Sequence, residues 1–355
     1  MNLKHLFKPS TMAVVGVSTS QDNHPANVIY NKNHLRYPVK TFPVNPKGGI
    51  LNRETLYPSV NHINENIDMA VIAVRAEYVI KVVEQCIKKG VKSAVIISGG
   101  FAEVGNLKLQ NFLVDMAKEA SFPFIGPNCL GIYAPDHVDT FFLPGERIIR
   151  PDKGNIGFVS QSGGVLVDQM VKFAGQGIGV SLGVSIGNKA CIRETDMLDW
   201  FDKDPGTKAI AFYIEGFEKN EGRMFIKRAE KCSKPVVVLK AGKSKKGIEA
   251  VSSHTASLAG DYRVFSQIMK QYCVAEAENE HELTSFCEAL SCYPKGIRGN
   301  VGIISLSGGH GVLAADACEL YGIKIPVLER KTMDAIREKL SREIRDIVSL
   351  VNPMD

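Results

Sequence analysis

Ile156-Gly157-Phe158-Val159-Ser160-Gln161-Ser162-Gly163-Gly164-Val165 is the stretch on which the fold turns. An apolar run ends in a turn of serines and glycines, and the residues beyond it, Val165 to Phe173, carry apolar side chains at helical spacing. Strand, glycine turn, helix is the repeating unit of a parallel α/β sheet. Toward the C-terminus the unit recurs, with strands expected at Val180 to Ser185, Ala209 to Ile214 and Val236 to Leu239 and helices near Asp261 to Gln271 and Glu280 to Cys292. Toward the N-terminus the same alternation runs through strands at Met12 to Val17, Lys40 to Val44, Met69 to Val74, Ser93 to Ile97 and Phe122 to Ile125, with helices at Tyr78 to Lys89 and Leu107 to Ala120. Between the two series, Tyr133 to Lys153 is rich in proline and polar residues and reads as a connection between domains. After Pro294 and Gly296 a third series opens with a strand at Val301 to Ser305 and a helix at Gly311 to Leu320. It ends at Asp355 after one or two units, which reads as a fragment of a further domain.

Composition agrees with a globular α/β chain. The 355 residues accommodate two or three domains, with 45% hydrophobic residues, 23% charged residues and 32 glycines for tight turns. A formal charge of +5, with lysines concentrated only between Lys240 and Lys246, is too weak for a duplex-binding surface and better suited to small phosphorylated ligands. The eight cysteines (Cys86, Cys129, Cys191, Cys232, Cys273, Cys287, Cys292, Cys318) form no CxxC or CxxH spacing, so reduced buried thiols are expected, with no metal site. No run reaches membrane-spanning length and Met1 to Ser10 lacks a signal-peptide core, so the expected setting is cytoplasmic, with no membrane or nucleic-acid partner.

Two features carry chemistry. The turn Ser160, Ser162, Gly163, Gly164 leads into a helix whose first amides and positive dipole end favour an anion, and Ser307, Gly308, Gly309 repeat the device in the third series. Each turn reads equally as an ordinary strand-to-helix connection; the pair is more telling than either. The stretch 241 to 260 is small, glycine-containing and basic (Lys243, Lys245, Lys246) and reads as a mobile loop with His254 in its middle. A neutral imidazole can accept a phosphoryl group while a partner holds its other nitrogen, and Glu215 at the end of a strand is placed to be that partner. Spacing alone favours the plainer alternative, a solvated histidine and a helix-capping glutamate.

A resemblance reverses that order. Val159 to Gly164, Gly187-Asn188-Lys189-Ala190, Tyr213-Ile214-Glu215-Gly216 and Ser252 to Gly260, in this sequence, resemble the ADP-forming acetyl-CoA synthetase family of the succinyl-CoA synthetase superfamily. Ala13 to Ser18, Pro43 to Lys47, Val95 to Phe101 and Ile125 to Gly131 resemble its CoA-binding domain. The resemblance implies a Rossmann-like CoA-binding domain over 1–132, a flavodoxin-like domain of succinyl-CoA synthetase type over 150–293, and the truncated start of a second flavodoxin-like domain over 298–355. It implies that His254 is a transient phosphohistidine stabilised by Glu215, that the two serine turns grip phosphate, and that CoA lies along Gly16, Ser18, Asn45, Pro46, Lys47, Ser98, Gly99 and Asn128. The implied reaction is acyl-CoA plus phosphate plus ADP giving free acid, CoA and ATP, reversibly. ADP/ATP and Mg would be bound by ATP-grasp domains that this chain lacks, supplied by a beta-type subunit or a fused C-terminal part, in an oligomer. The runner-up within the superfamily is a catalytically lapsed CoA-sensing module of a protein acetyltransferase, which would be expected to have lost His254. A dinucleotide-dependent dehydrogenase is disfavoured because the turn at Gly16 is not a full GxGxxG and no acidic residue closes the second strand.

Overall fold

A computed structural model of the chain describes residues 2–144, 148–254, 261–296 and 299–355, with the backbone alone for 252–254. It divides into two compact units, Met1–Lys295 and Gly296–Asp355.

The first unit holds two main sheets. In one, β1 (Thr11–Val15), β2 (Lys40–Val44), β5 (Met69–Ile72), β6 (Ser93–Ile96) and β7 (Phe124–Ile125) run parallel in the order β2-β1-β5-β6-β7, with a small hairpin of β3 (Ile50–Leu51) and β4 (Glu54–Thr55) beside it. Helices α1 (Lys4–Phe7), α2 (Pro25–Arg36), α3 (Ala76–Lys89) and α4 (Leu107–Glu119) belong to this half. Every residue of β5 and β6 is buried, as expected of parallel strands covered on both faces.

The other sheet runs β14-β13-β12-β10-β11-β8-β9. Its parallel part is β10 (Lys153–Ser160), β11 (Val180–Ser185), β12 (Ala209–Ile214), β13 (Val236–Lys240) and β14 (Ala275–Ala277). The remaining strands, β8 (Gly131–Ala134) and β9 (Val138–Asp139), pair antiparallel at one edge. Residues 133–153, expected to be a plain connection, therefore contribute to the second sheet, and the expected domain end at 132 falls inside β8. Thr140 explains this: its Oγ1 accepts from Ile132 N at 2.7 Å and its own amide donates to Ile132 O at 2.8 Å, closing the short hairpin despite its polar sequence. One apolar core also runs through both sheets, from Val14, Val71 and Ile125 to Val159, Val184 and Phe212, so the two halves share a single buried interior.

Around this sheet lie α5 (Gly163–Gly175), α6 (Glu194–Lys203), α7 (Glu221–Ala229), α8 (Lys245–His254), α9 (Tyr262–Gln271) and α10 (Glu280–Cys292). Helix α8 replaces half of the expected mobile loop. Ser244 starts it, its carbonyl accepting from Ile248 N at 2.8 Å and its Oγ from Gly247 N at 3.1 Å, and lysine, glutamate and alanine carry it onward. Thr255 to Gly260 lie outside the described residues.

The second unit contains α11 (Gly308–Leu320), α12 (Arg330–Lys339) and α13 (Arg342–Arg345). The strand expected over Val301 to Ser305 is reduced to a single parallel bridge, Ile304 to Met354, with Asn352 bonding Ile303 N, Val301 O and Pro326 O. Among the described residues of this unit no longer strand is present to build a ladder against it. No described helix of the chain is long and apolar enough to cross a membrane.

Candidate active site

Ser160 is the last residue of β10, and its Oγ donates to Ser162 O at 2.6 Å while accepting from Ser162 N at 3.1 Å. That pair of bonds folds the turn so that Ser162 becomes the N-cap of α5, its Oγ accepting from Val165 N at 3.4 Å. The turn at Ser307 uses the same pair: Ser305 Oγ donates to Ser307 O at 2.8 Å and accepts from Ser307 N at 3.1 Å, ahead of α11. A Cβ on Gly308 would come within 2.4 Å of the Asp355 carboxylate, which would have to turn aside.

Glu215 follows β12, which pairs with β10 so that Tyr213 lies opposite Ser160. The two strand ends are tied by Gln161, a buried side chain whose Oε1 accepts from Glu215 N at 2.6 Å and Gly216 N at 3.1 Å. Its Nε2 donates to Gly216 O at 2.8 Å and to Glu194. Beneath it lies a closed charge cluster. Lys189 Nζ donates to Gly216 O at 2.8 Å, to Glu221 Oε2 at 2.7 Å and to Glu194 Oε1 at 3.1 Å, and both glutamates are fully buried. Burial raises the Glu194 carboxyl above the ordinary range, against the pull of Lys189. Lys189 has a φ of +45°, a left-handed conformation unusual for a side chain of this size, and its three partners hold it there. On the other flank, buried Lys240 at the end of β13 donates to Glu215 O at 2.7 Å and to Ala241 O. Burial lowers its pKa to about 8, against the charge of Glu215. Tyr213 is pushed up to about 12, first by burial and then by Glu215.

Of these groups Gln161, Ser162 and Glu215 line a cavity of about 380 Å³. Ser162, Gly163, Gly164, Gln161, Glu215, Asn128 and Asn188 form its polar side, and Ile97, Cys129, Leu130, Phe142, Leu143 and Val167 its apolar side. Asn128 comes from the first sheet, just beyond β7, so the cavity lies where the C-terminal ends of both sheets meet. The junction is tight: a Cβ on Gly187 would stand 2.3 Å from Asn128 O and 2.4 Å from Pro127 O. Asn188 bonds Asn128 across it, and also Glu103 and Gln110.

The remaining positions expected to meet CoA gather at the C-terminal edge of the first sheet, beside the point where the strand order reverses between β1 and β5. Gly16, at φ +108°, leaves β1 so close to β5 that a Cβ would meet Ala73 O at 2.3 Å. Most of the polar side chains here shape the turns. Asn45 Nδ2 donates to Val17 O at 2.5 Å and its Oδ1 accepts from Lys47 N at 2.8 Å. Ser18 Oγ accepts from Ser20 N and Gln21 N, while Ser18 and Asn27 bond reciprocally through backbone and amide. Ser98 Oγ accepts from Val74 N at 3.2 Å and is buried. Glu103, bonded to Gly100 N and Phe101 N, braces the turn at Gly99. Pro46 and Lys47 stay exposed beside these amides.

Residues 153–290 match the succinyl-CoA ligase like flavodoxin domain and residues 10–135 the CoA binding domain. Over 359 residues the chain is 39% identical to acetate–CoA ligase [ADP-forming] I of Archaeoglobus fulgidus, covering 99% of this chain and 50% of that protein. It is 38% identical to subunit alpha of acetate–CoA ligase [ADP-forming] I of Pyrococcus furiosus, covering 92% of this chain and 71% of the subunit. The chain belongs to the ADP-forming acetate–CoA ligase family. A solved structure of the dinucleotide forming acetyl-coenzyme A synthetase 1 of Ca. Korarchaeum cryptofilum, in complex with phosphate and ADP, superposes with a TM-score of 0.89 at 34% identity, covering all of this chain and 75% of that one. The chain spans about half the length of the Archaeoglobus relative and of its Methanocaldococcus jannaschii counterpart.

In this member of the family Ser162, Gly163, Gly164, Glu215 and Asn128, all expected from the sequence, share one cavity. His254 closes α8, and its side chain lies outside what the structure describes. The lysines expected to draw phosphate are partly committed elsewhere: Lys243 Nζ donates to Glu278 O at 3.0 Å and Lys246 pairs with Glu249 at 2.8 Å. No role was expected for Gln161, Lys189, Glu194, Glu221 or Lys240. The run Gly187 to Ala190 contains Lys189, and Gln161 stands between two turn serines, but most of their partners lie 25 to 55 positions away and carry no local periodicity.

Proposed function

We propose that this chain is the CoA-handling portion of an ADP-forming acyl-CoA synthetase and that His254 carries the phosphoryl group. The supporting observation is that the N-terminus of α5, Glu215 and Asn128 line one cavity at the C-terminal ends of both sheets. CoA is assigned to the turns at Gly16, Ser18, Asn45, Pro46, Lys47, Ser98 and Gly99, whose bonded side chains leave backbone and Lys47 toward a diphosphate. Phosphate is assigned to the amides after Ser162. A phosphate oxygen attacks the thioester carbonyl, the C–S bond breaks, and sulfur leaves with the electron pair and the proton that phosphate gives up. A ring nitrogen of His254 then attacks phosphorus, the bond to the acyl oxygen breaks, and the free carboxylate departs. Glu215, its backbone clamped by Gln161 and Lys240, holds the other ring nitrogen and balances the imidazolium charge. The turn at Ser307 is assigned as the second phosphate station. ADP and Mg are assigned to ATP-grasp domains beyond this chain, on a fused part or a beta-type subunit.

The test is to supply the complete enzyme with acetyl-CoA and radiolabelled phosphate. We expect an acid-labile, base-stable label on this chain that His254→Ala abolishes. A label that survives in the variant, or its absence from an intact enzyme that still binds CoA, overturns the assignment.

A further inference from the structure

Phe142 and Leu143 follow β9 and line the same cavity as Glu215 and the N-terminus of α5. Their backbone is pinned by a buried ionic clamp. Asp139, fully buried, pairs with Lys32 at 2.8 Å and with Arg150. Lys32 Nζ also donates to Phe141 O at 2.6 Å, and Phe141 N donates to Asp139 Oδ1 at 2.9 Å. Arg150 reaches back to donate to Leu143 O at 3.1 Å and Ile148 O at 3.2 Å. Asn33 holds Asp139 itself through both its amide and its carbonyl, at 3.0 and 2.7 Å. So much buried charge is costly to assemble unless every partner is in place. Here it fixes a short segment that has no ladder of its own. The two side chains are half-buried, with Phe142 packed between two core clusters and Leu143 against one of them.

In an acyl phosphate the carbonyl carbon and phosphorus share an oxygen. The acyl carbonyl therefore stands two bonds from the phosphorus assigned to the α5 N-terminus, in the same cavity. Val167, one turn beyond Gly163 and Gly164, faces the same way along the helix, and with Phe142 and Leu143 it belongs to the apolar lining that an acyl chain starting there can meet. We propose, on the basis of the function assigned above, that Phe142 and Leu143 are the residues that set the size of acyl group accepted, with Arg150 as the positioning residue that holds them. Among the described cavity-lining residues Glu215 is the sole acidic side chain and none is cationic, so an acyl group with a second carboxylate meets repulsion from Glu215.

The experiment compares kcat/KM of the complete enzyme for acetyl-, isobutyryl-, phenylacetyl- and succinyl-CoA, reading CoA release and histidine label in parallel. A hydrophobic wall discriminates by about tenfold to two-hundredfold per methylene. Phe142→Ala and Leu143→Ala should therefore raise phenylacetyl-CoA relative to acetyl-CoA by about tenfold or more, and Leu143→Phe should lower isobutyryl-CoA relative to acetyl-CoA. Arg150→Lys keeps a charge for Asp139 but loses the bond to Leu143 O, and should shift the same ratio in the direction of the alanine variants. Succinyl-CoA should be poor throughout. Ratios that stay fixed in folded variants, or equal losses for all acyl groups, overturn the size assignment while leaving the phosphohistidine reading intact. Absence of label with every acyl-CoA in the wild-type enzyme overturns that reading, and this inference with it.

Discussion

Gln161 uses both ends of its amide, and no apolar residue can do the same. Gln161→Leu keeps the approximate volume but strands the amides of Glu215 and Gly216 and removes a donor from buried Glu194. Each unsatisfied buried group costs about 1–3 kcal/mol, so the variant should lose about 2 kcal/mol or more in urea unfolding. Its phosphohistidine yield should fall further than stability explains, because the loop bearing Glu215 is released; equal yields would deny Gln161 a positioning role. Lys240 makes a prediction of opposite character. Its folded pKa of about 8 lies below the ordinary lysine value, so the unfolded chain binds more protons between about pH 8 and 10.5. The penalty for burying its charge is fully present below pH 8 and fades as pH rises through that window. Lys240→Met removes the titrating group, so the variant's stability relative to wild type should be greater at pH 7.5 than at pH 10, and a constant difference would contradict the cause given for the shift. Neither role could be read from the sequence: glutamine and lysine are ordinary beside a glycine turn, and only the pairing of β10, β12 and β13 brings their partners within reach.

At the level of elements, the legible parts were those that bury both faces. β11 (Val180–Ser185) and β12 (Ala209–Ile214) stand at their expected bounds because a parallel strand covered on both sides must be apolar nearly throughout. β8 and β9 escaped, since they are short, flanked by proline and polar residues, and closed by Thr140 and Asn33 rather than by an apolar pattern. Helix α8 escaped for a related reason: Gly242 and Gly247 suggested a loop, whereas Gly242, at φ +72°, only ends the strand. Glycine is decisive at Gly187, which sits at φ +55° against two backbone carbonyls that cannot rotate aside. Gly187→Ala combines left-handed strain with this overlap and should cost about 2 kcal/mol or more, measurable as a lowered urea midpoint. CoA affinity should fall with it, because Asn128 must shift to make room.

On the scale of the whole molecule, all three apolar clusters draw their members from the first unit. Among the described residues of 296–355 only Gly311 and Leu350 are buried, while Leu306, Val312, Leu313 and Leu320 are exposed. The first unit therefore has the interior that folding requires, and the described residues of the second have almost none of their own. A chain ending at Lys295 should accordingly melt within about 5 °C of the full chain, a shift worth about 3 kcal/mol at this size. It should also keep CoA binding, since every residue assigned to CoA lies before 129. If Ser307 is the second phosphate station, the same truncation, assembled with the nucleotide-binding domains, should still form phosphohistidine from acyl-CoA and phosphate at the Ser162 turn but fail to pass it to ADP. Loss of CoA binding would mean that the first unit is not self-sufficient. Undiminished ATP formation would mean that the turn at Ser307, for all its matching hydrogen bonds, is a plain helix start.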